Sequence, residues 1–119
     1  MEIFQNELIK IKLEPHNNPW LIIFTQRKIK EFSQASDEEK IEIFKYLDII
    51  EKEMLSYFKP EKINIASFGN MLPHLHWHIQ ARFKDDEYFP NPLWGERQRD
   101  LHVEIKPIEF FIENLKNRL

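Results

Sequence analysis

Residues 74–79, His-Leu-His-Trp-His-Ile, alternate strictly between imidazole and apolar side chains, and no other stretch of the chain constrains its fold as tightly. A two-residue period belongs to a β-strand, where successive side chains leave opposite faces. His74, His76 and His78 then share one face, and Leu75, Trp77 and Ile79 share the other. The apolar face must be the core side of a sheet. The histidine face needs polar company, because each buried imidazole brings two nitrogens that require partners. Three such side chains in register are expected to line a cleft.

The remaining periodicities say what surrounds that strand. Glu7 to Leu13 alternates polar and apolar as a half-buried strand, and Pro15, Asn17, Asn18 and Pro19 punctuate a turn into a more buried strand over Trp20 to Thr25. Ser36 followed by Glu39 is a capping box, and Ile41, Phe44, Leu47, Ile50, Met54, Leu55 and Phe58 recur at helical spacing, predicting a long core-facing helix over Asp37 to Phe58 that Pro60 ends. A short strand is expected over Ile63 to Ser67, a turn at Gly69-Asn70, and the histidine strand over His74 to Phe83. After the loop DDEYFPNPLWG, Leu101 to Ile105 alternates as an edge strand, and Ile108, Phe111, Ile112 and Leu115 mark a short C-terminal helix. Neighbouring strands joined by short turns predict a single α+β domain over residues 1–119, an antiparallel sheet of about five strands packed by one long and one short helix.

Composition removes several function classes. The 17 basic and 20 acidic residues leave a net charge of -3, without the basic footprint of a protein that binds polymeric nucleic acid. The absence of cysteine excludes disulfides, thiolate metal sites and thiol nucleophiles. The longest apolar run, Trp20 to Phe24, is far short of the roughly 18 residues a bilayer span requires. The first residues, MEIFQNELIK, lack the basic start and apolar segment of a signal peptide, so the expected location is cytoplasmic.

Two chemistries suit a row of imidazoles. Zinc takes histidine readily, but a rise of about 3.3 Å per residue separates His74 from His78 by roughly 13 Å, too far for one ion to hold all three. A metal would need another donor, and Glu14, His16, Asp85 and His102 have no diagnostic spacing; the reading assigns neither metal nor cofactor. The alternative is nucleophilic attack on phosphorus by a neutral imidazole whose second nitrogen is held by a hydrogen bond.

The run HLHWHIQ resembles the histidine-triad (HIT) signature, in which three histidines alternate with hydrophobic residues, and departs from it at Gln80. The resemblance extends over INIASFGNMLP before the run and Arg82 after it, and covers about Leu8 to Phe83. It implies a nucleotide-binding hydrolase that releases a nucleoside monophosphate from a dinucleoside polyphosphate, a phosphoramidate or a related conjugate. His76 would be the nucleophile that becomes nucleotidylated, His74 would orient it, and His78 would sit near the scissile phosphate and leaving group. Asn64 and Asn70 match positions that contact ribose or phosphate. His78 favours hydrolysis over the transferase pattern, which carries Gln there. The resemblance also implies a homodimer. Trp20 stands where well-studied branches carry a fourth histidine, Lys12 where an acidic residue often grips the ribose, and Met71 where a hydroxyl often meets phosphate. These departures motivate a second expectation, a nucleotide-binding or sensing protein with little catalysis. The stretch Pro90 to Gly95 resembles a bacterial subgroup.

Among the other residues, His16 reads as a loop histidine with a possible reach to the site, and His102 as surface or core filler. Asp85, Asp86 and Glu87 read as a solvated acidic turn sooner than as a cation site. Tyr88 to Trp94 divide between packing on the body and a role over the nucleotide or at a subunit interface.

Overall fold

The structure, a computed structural model, describes residues 1–101 and 104–119. Strands β1 (Glu2–Gln5), β2 (Ile9–Leu13) and β3 (Trp20–Thr25) precede helix α1 (Asp37–Phe58), which is followed by β4 (Lys62–Ala66), β5 (His76–Arg82) and helix α2 (Ile108–Lys116). The five strands form one antiparallel sheet in the order β1-β2-β3-β5-β4, so the α+β arrangement of a sheet with one long and one short helix is as expected.

The membership of the sheet differs from the expectation at one strand. Glu2–Gln5 pairs with β2 as an edge strand, although four residues carry too little periodicity to announce it. The strand expected over Leu101 to Ile105 centres on residues 102 and 103, which lie outside the described residues; Leu101 and residues 104 and 105 carry no strand. The histidine strand begins at His76 instead of His74. Pro73 lacks an N–H, the His74 N–H closes a turn on the Leu72 carbonyl, and the Leu75 N–H bonds to the Ile29 carbonyl outside the sheet.

Register divides the sheet into two faces. Trp20 lies opposite Gln80, Ile22 opposite His78 and Phe24 opposite His76, while on the other flank Asn64 meets Gln80 and Ala66 meets His78. The alternate residues, Ile9, Ile11, Leu21, Ile23, Ile63, Ile79 and Ala81, are buried against α1 and α2. Both helices therefore pack on one face, and the histidine face is left for loops.

Helix α1 starts where Ser36 accepts from the Glu39 N–H and Glu39 accepts from the Ser36 N–H. Arg27 clamps the same carboxylate through Nε and Nη2, and that clamp, with the Ser36 contacts, holds the Glu39 carboxyl at about 2 against the opposing effect of burial. Lys59 closes the helix in a left-handed conformation (φ 49°) before Pro60. The buried stripe is Ile43, Tyr46, Leu47, Ile50, Met54 and Phe58. Leu47, Ile50, Met54 and Phe58 of the expected stripe are on it, while Ile41, Phe44 and Leu55 are exposed on its flanks, and Ile43 and Tyr46 complete the face that packs on the sheet. No helix of the described residues is long and apolar enough to cross a membrane.

Ile50 is fully buried on this stripe. Truncation to Ile50→Ala is expected to lower the unfolding free energy by about 2–5 kcal/mol. Ser36→Ala, which removes only the cap, is expected to cost about 1 kcal/mol. Urea denaturation at one pH checks both values.

Candidate functional site

The two histidines on β5 lie side by side at the base of a cleft of about 420 Å³ whose other walls are Phe68, the 69–72 turn and Trp94. His76 and His78 are each 8% exposed, with ring centroids 4.9 Å apart. Gly69 (φ 79°) makes the turn that brings Asn70 and Met71 to the rim, a conformation that disfavours any side chain.

Each imidazole has its protonation pattern set by a different partner. His76 Nδ1 is 2.6 Å from the main-chain carbonyl of His74. A carbonyl only accepts, so Nδ1 carries the proton and the neutral ring keeps its lone pair on Nε2. His78 Nδ1 is 3.0 Å from Trp20 Nε1. An indole N–H only donates, so here Nδ1 is the bare nitrogen and the neutral ring carries its proton on Nε2. Adjacent imidazoles thus hold opposite tautomers, one offering a nucleophilic lone pair and the other a hydrogen-bond donor. Burial, and then the neighbouring His76, pushes His78 down to about 4, so it stays neutral at physiological pH.

His74 contributes mainly through its backbone. Its ring donates from Nε2 to the Thr25 carbonyl at 2.7 Å and lies against Phe24, which stacks on His76 at 5.1 Å. The group that touches His76 is the His74 carbonyl, so the main chain orients the middle ring.

The structure brings His76, His78 and Asn70 to one cleft. Asn64 faces elsewhere: its Oδ1 accepts from Arg82 Nη1 at 2.9 Å, and it lines a groove on β4 beyond Phe68 and Trp94. His16 does not enter the cleft. It stands edge-on to Trp20 at 5.2 Å, with its Nδ1 accepting from the Asn18 N–H, and burial lowers its pKa. Lys12 lies on β2, with β3 between it and the histidine strand, and its Nζ is 5.4 Å from the Phe24 ring centre. Met71 is almost wholly exposed at the rim. His102 lies outside the described residues.

The acidic turn is not a solvated one throughout. Asp85 is exposed, but Asp86 is fully buried and accepts from both Nε and Nη2 of Arg82, the Asn18 side-chain amide, and the N–H groups of Phe83, Tyr88 and Phe89. Burial alone would raise its pKa. The Arg82 contact and the other donors reverse that and hold it well below the ordinary carboxylate range. Arg82 also donates to the Asn91 carbonyl, and Arg99 to the carbonyls of Asp86 and Phe89, so the whole loop is tied down. That loop sets Trp94 edge-on to His78 at 4.8 Å, Trp20 at 5.3 Å and Phe68 at 4.9 Å. Packing and lining the cleft are one role for Trp94.

Among the described residues no group of three or more His, Asp or Glu side chains is arranged to hold a metal ion. The residues that sequence reasoning underused are Trp20, Asn18 and Asp86. The β3–β5 register sets Trp20 opposite Gln80 and diagonal to His78, which brings its Nε1 to His78 Nδ1, a contact no local pattern encodes.

The family model for the HIT domain matches residues 4–85. Among solved structures, a histidine triad protein from Bradyrhizobium japonicum is 28% identical with a TM-score of 0.81, covering 98% of this chain and 88% of that one. A histidine triad protein from Sinorhizobium meliloti is 27% identical with a TM-score of 0.80, covering 100% and 89%. The diadenosine triphosphate hydrolase of Plasmodium falciparum, in complex with cyclomarin A, shares the fold at 18% identity and a TM-score of 0.63, covering 98% of this chain and 71% of that one. No curated protein gives a significant match.

Replacing Asp86 leaves Arg82 buried without its counter-charge. Asp86→Asn is expected to cost about 3–5 kcal/mol in urea or thermal unfolding. Because the folded-state pKa is depressed, the stabilisation by this group is complete above the ordinary value of 3.8 and is lost as the pH falls through and below it. The variant is therefore expected to show a flatter acid limb of stability against pH.

Proposed function

The chain belongs to the HIT-domain family, and from that premise we propose that it is a nucleotidyl hydrolase acting through a covalent His76 intermediate. The observation that carries the reading is the pair of opposed tautomers, a fixed lone pair on His76 Nε2 beside a fixed donor on His78. The substrate is a dinucleoside polyphosphate or a related conjugate of a nucleoside monophosphate, in line with the hydrolase among the structural neighbours.

In this reading His76 Nε2 attacks the phosphorus of the nucleoside monophosphate unit. The P–N bond forms as the bond to the leaving group breaks, with its electron pair passing to that group. The positive charge gained by His76 is spread through Nδ1–H to the His74 carbonyl. His78 Nε2–H hydrogen-bonds to oxygens that gain charge as the leaving group departs. Water then attacks the same phosphorus, the P–N bond breaks with its pair returning to Nε2, and the water proton passes to solvent. Asn70, at the rim, supplies an amide for phosphate or ribose oxygens. Asn64 serves at one remove, through Arg82. Phe68 and Trp94 give the cleft apolar walls suited to a base.

The same reading includes a homodimer. Strand β4, with Ile65 exposed on it, is an edge of the described sheet, and Phe32, Phe44 and Trp77, the last on the neighbouring β5, form an aromatic cluster with Phe32 41% and Phe44 50% exposed. An open edge flanked by apolar surface favours pairing with a second copy. Light scattering is expected to give twice the chain mass for the wild type and the single mass for Phe44→Glu; a wild-type monomer at micromolar concentration would remove the dimer from the proposal.

His76→Ala is expected to reduce turnover of diadenosine polyphosphates by at least about 10³-fold while calorimetry still detects AMP. Mass spectrometry of rapidly denatured wild-type reaction mixtures should find AMP attached to His76. Undiminished hydrolysis by the variant sinks the nucleophile assignment. Binding of AMP without turnover of any conjugate by the wild type would make the protein a nucleotide binder in place of an enzyme.

A further inference from the structure

We infer that Trp20 is a positioning residue that holds His78 as a neutral Nε2–H donor, and that it thereby restricts the site to leaving groups that depart as stable oxyanions, phosphoanhydrides in preference to phosphoramidates. The inference rests on the hydrolase reading above and deepens it by naming the substrate class.

The argument starts from what an indole can do. Its N–H donates and never accepts, and it does not ionise at neutral pH. While Trp20 Nε1–H occupies His78 Nδ1 at 3.0 Å, that nitrogen cannot take up a proton without setting two donors against each other. The imidazolium form of His78 is thus disfavoured by direct geometry as well as by burial. The Trp20 ring is itself held, 8% exposed, between His16 and Trp94. Among the described residues, the groups facing His78 are His76 and Gln80 along β5, Ile22 and Trp20 from β3, Ala66 from β4, and Phe68 and Trp94 from the loops. Of these only His76 carries an ionisable side chain. Lys12 lies beyond Phe24, His16 lies behind Trp20, and the Arg82 and Asp86 charges neutralise each other further along the strand.

The consequence lies in the proton balance of the first step. With an anhydride, the breaking P–O bond leaves its electron pair on a phosphate oxygen, which carries the charge at neutral pH. That oxygen needs only a hydrogen bond, and His78 Nε2–H supplies one without losing its proton. With a phosphoramidate, the breaking P–N bond leaves its pair on nitrogen, and the amine must gain a proton as it departs. If His78 gave up the Nε2 proton, Trp20 could not replace it at Nδ1, and an imidazolate would remain. An imidazole at position 20 removes that limit, because its nitrogens can both accept and donate.

The test pairs a spectroscopic readout with a substrate ratio, both on the full chain. In nitrogen-15 histidine spectra, with His78 assigned through His78→Gln, the wild type is expected to show Nδ1 bare and Nε2 protonated, with no protonation of His78 down to about pH 5. Trp20→Phe is expected to mix the tautomers and raise the pH at which His78 titrates. With diadenosine triphosphate and adenosine 5′-phosphoramidate as probes at neutral pH, the wild type should favour the anhydride in kcat/KM by at least about 100-fold, the scale of a missing general acid. Trp20→His should shift the ratio toward the phosphoramidate by at least about 10-fold, mostly in kcat. A protonated Nδ1 on wild-type His78, or equal rates on the two probes, overturns the inference. Cleavage of neither probe overturns the hydrolase reading and the substrate claim with it, and the spectra then decide the positioning role alone.

Discussion

The buried ion pair between Arg82 and Asp86 is the interaction on which the site's architecture depends. Both side chains are removed from water, 2% and 0% exposed, a cost offset only when every donor and acceptor is met. Here the carboxylate is met by Arg82, Asn18 and three main-chain N–H groups, and the guanidinium also by Asn64 and the Asn91 carbonyl. Those partners come from the approach to β3, from β4, from the end of β5 and from the loop beyond it. One charge pair thus fastens an irregular loop onto the sheet face that carries no helix. Together with Arg99, which holds the Asp86 and Phe89 carbonyls, that fastening places Trp94 against His78 and Trp20 as a wall of the cleft.

With the loop in place, the histidine face separates two roles that a single imidazole would have to combine. His76 is polarised toward nucleophilicity by a main-chain carbonyl, and His78 toward donation by an indole. The two partners are fixed differently: the carbonyl belongs to His74 in the turn that leads into β5, and Trp20 comes from the adjacent strand. The arrangement is preorganised, so little reorganisation is required as charge develops on a bound phosphate.

Much of this was legible in the chain. The alternation from His74 to Ile79 announced a two-faced strand, and the capping box with Pro60 bounded α1 at both ends. Other features resisted local reading for physical reasons. Strand β1 is too short to show a period, and its partner β2 supplies the pairing that defines it. Leu47, Ile50, Met54 and Phe58 lie on the buried stripe of α1 as their spacing predicts, whereas Ile41, Phe44 and Leu55 are apolar like those core positions and only contact with the sheet distinguishes them. Nothing local distinguishes Asp86 from Asp85 and Glu87, since burial of a charge depends on a counter-charge, here Arg82, whose approach is tertiary.

The sequence by itself determined that His76 and His78 leave one face of a strand, that the apolar residues between and beside them turn to the core, and that no cysteine is available for the chemistry. Those conclusions follow from side-chain period and residue chemistry, which are local. Only the tertiary structure decided which nitrogen of each imidazole is free, that His74 acts through its carbonyl, and that Trp20 and not His16 touches His78. These depend on strand register and on groups 58 residues apart meeting at 3.0 Å, a distance that no local pattern can specify.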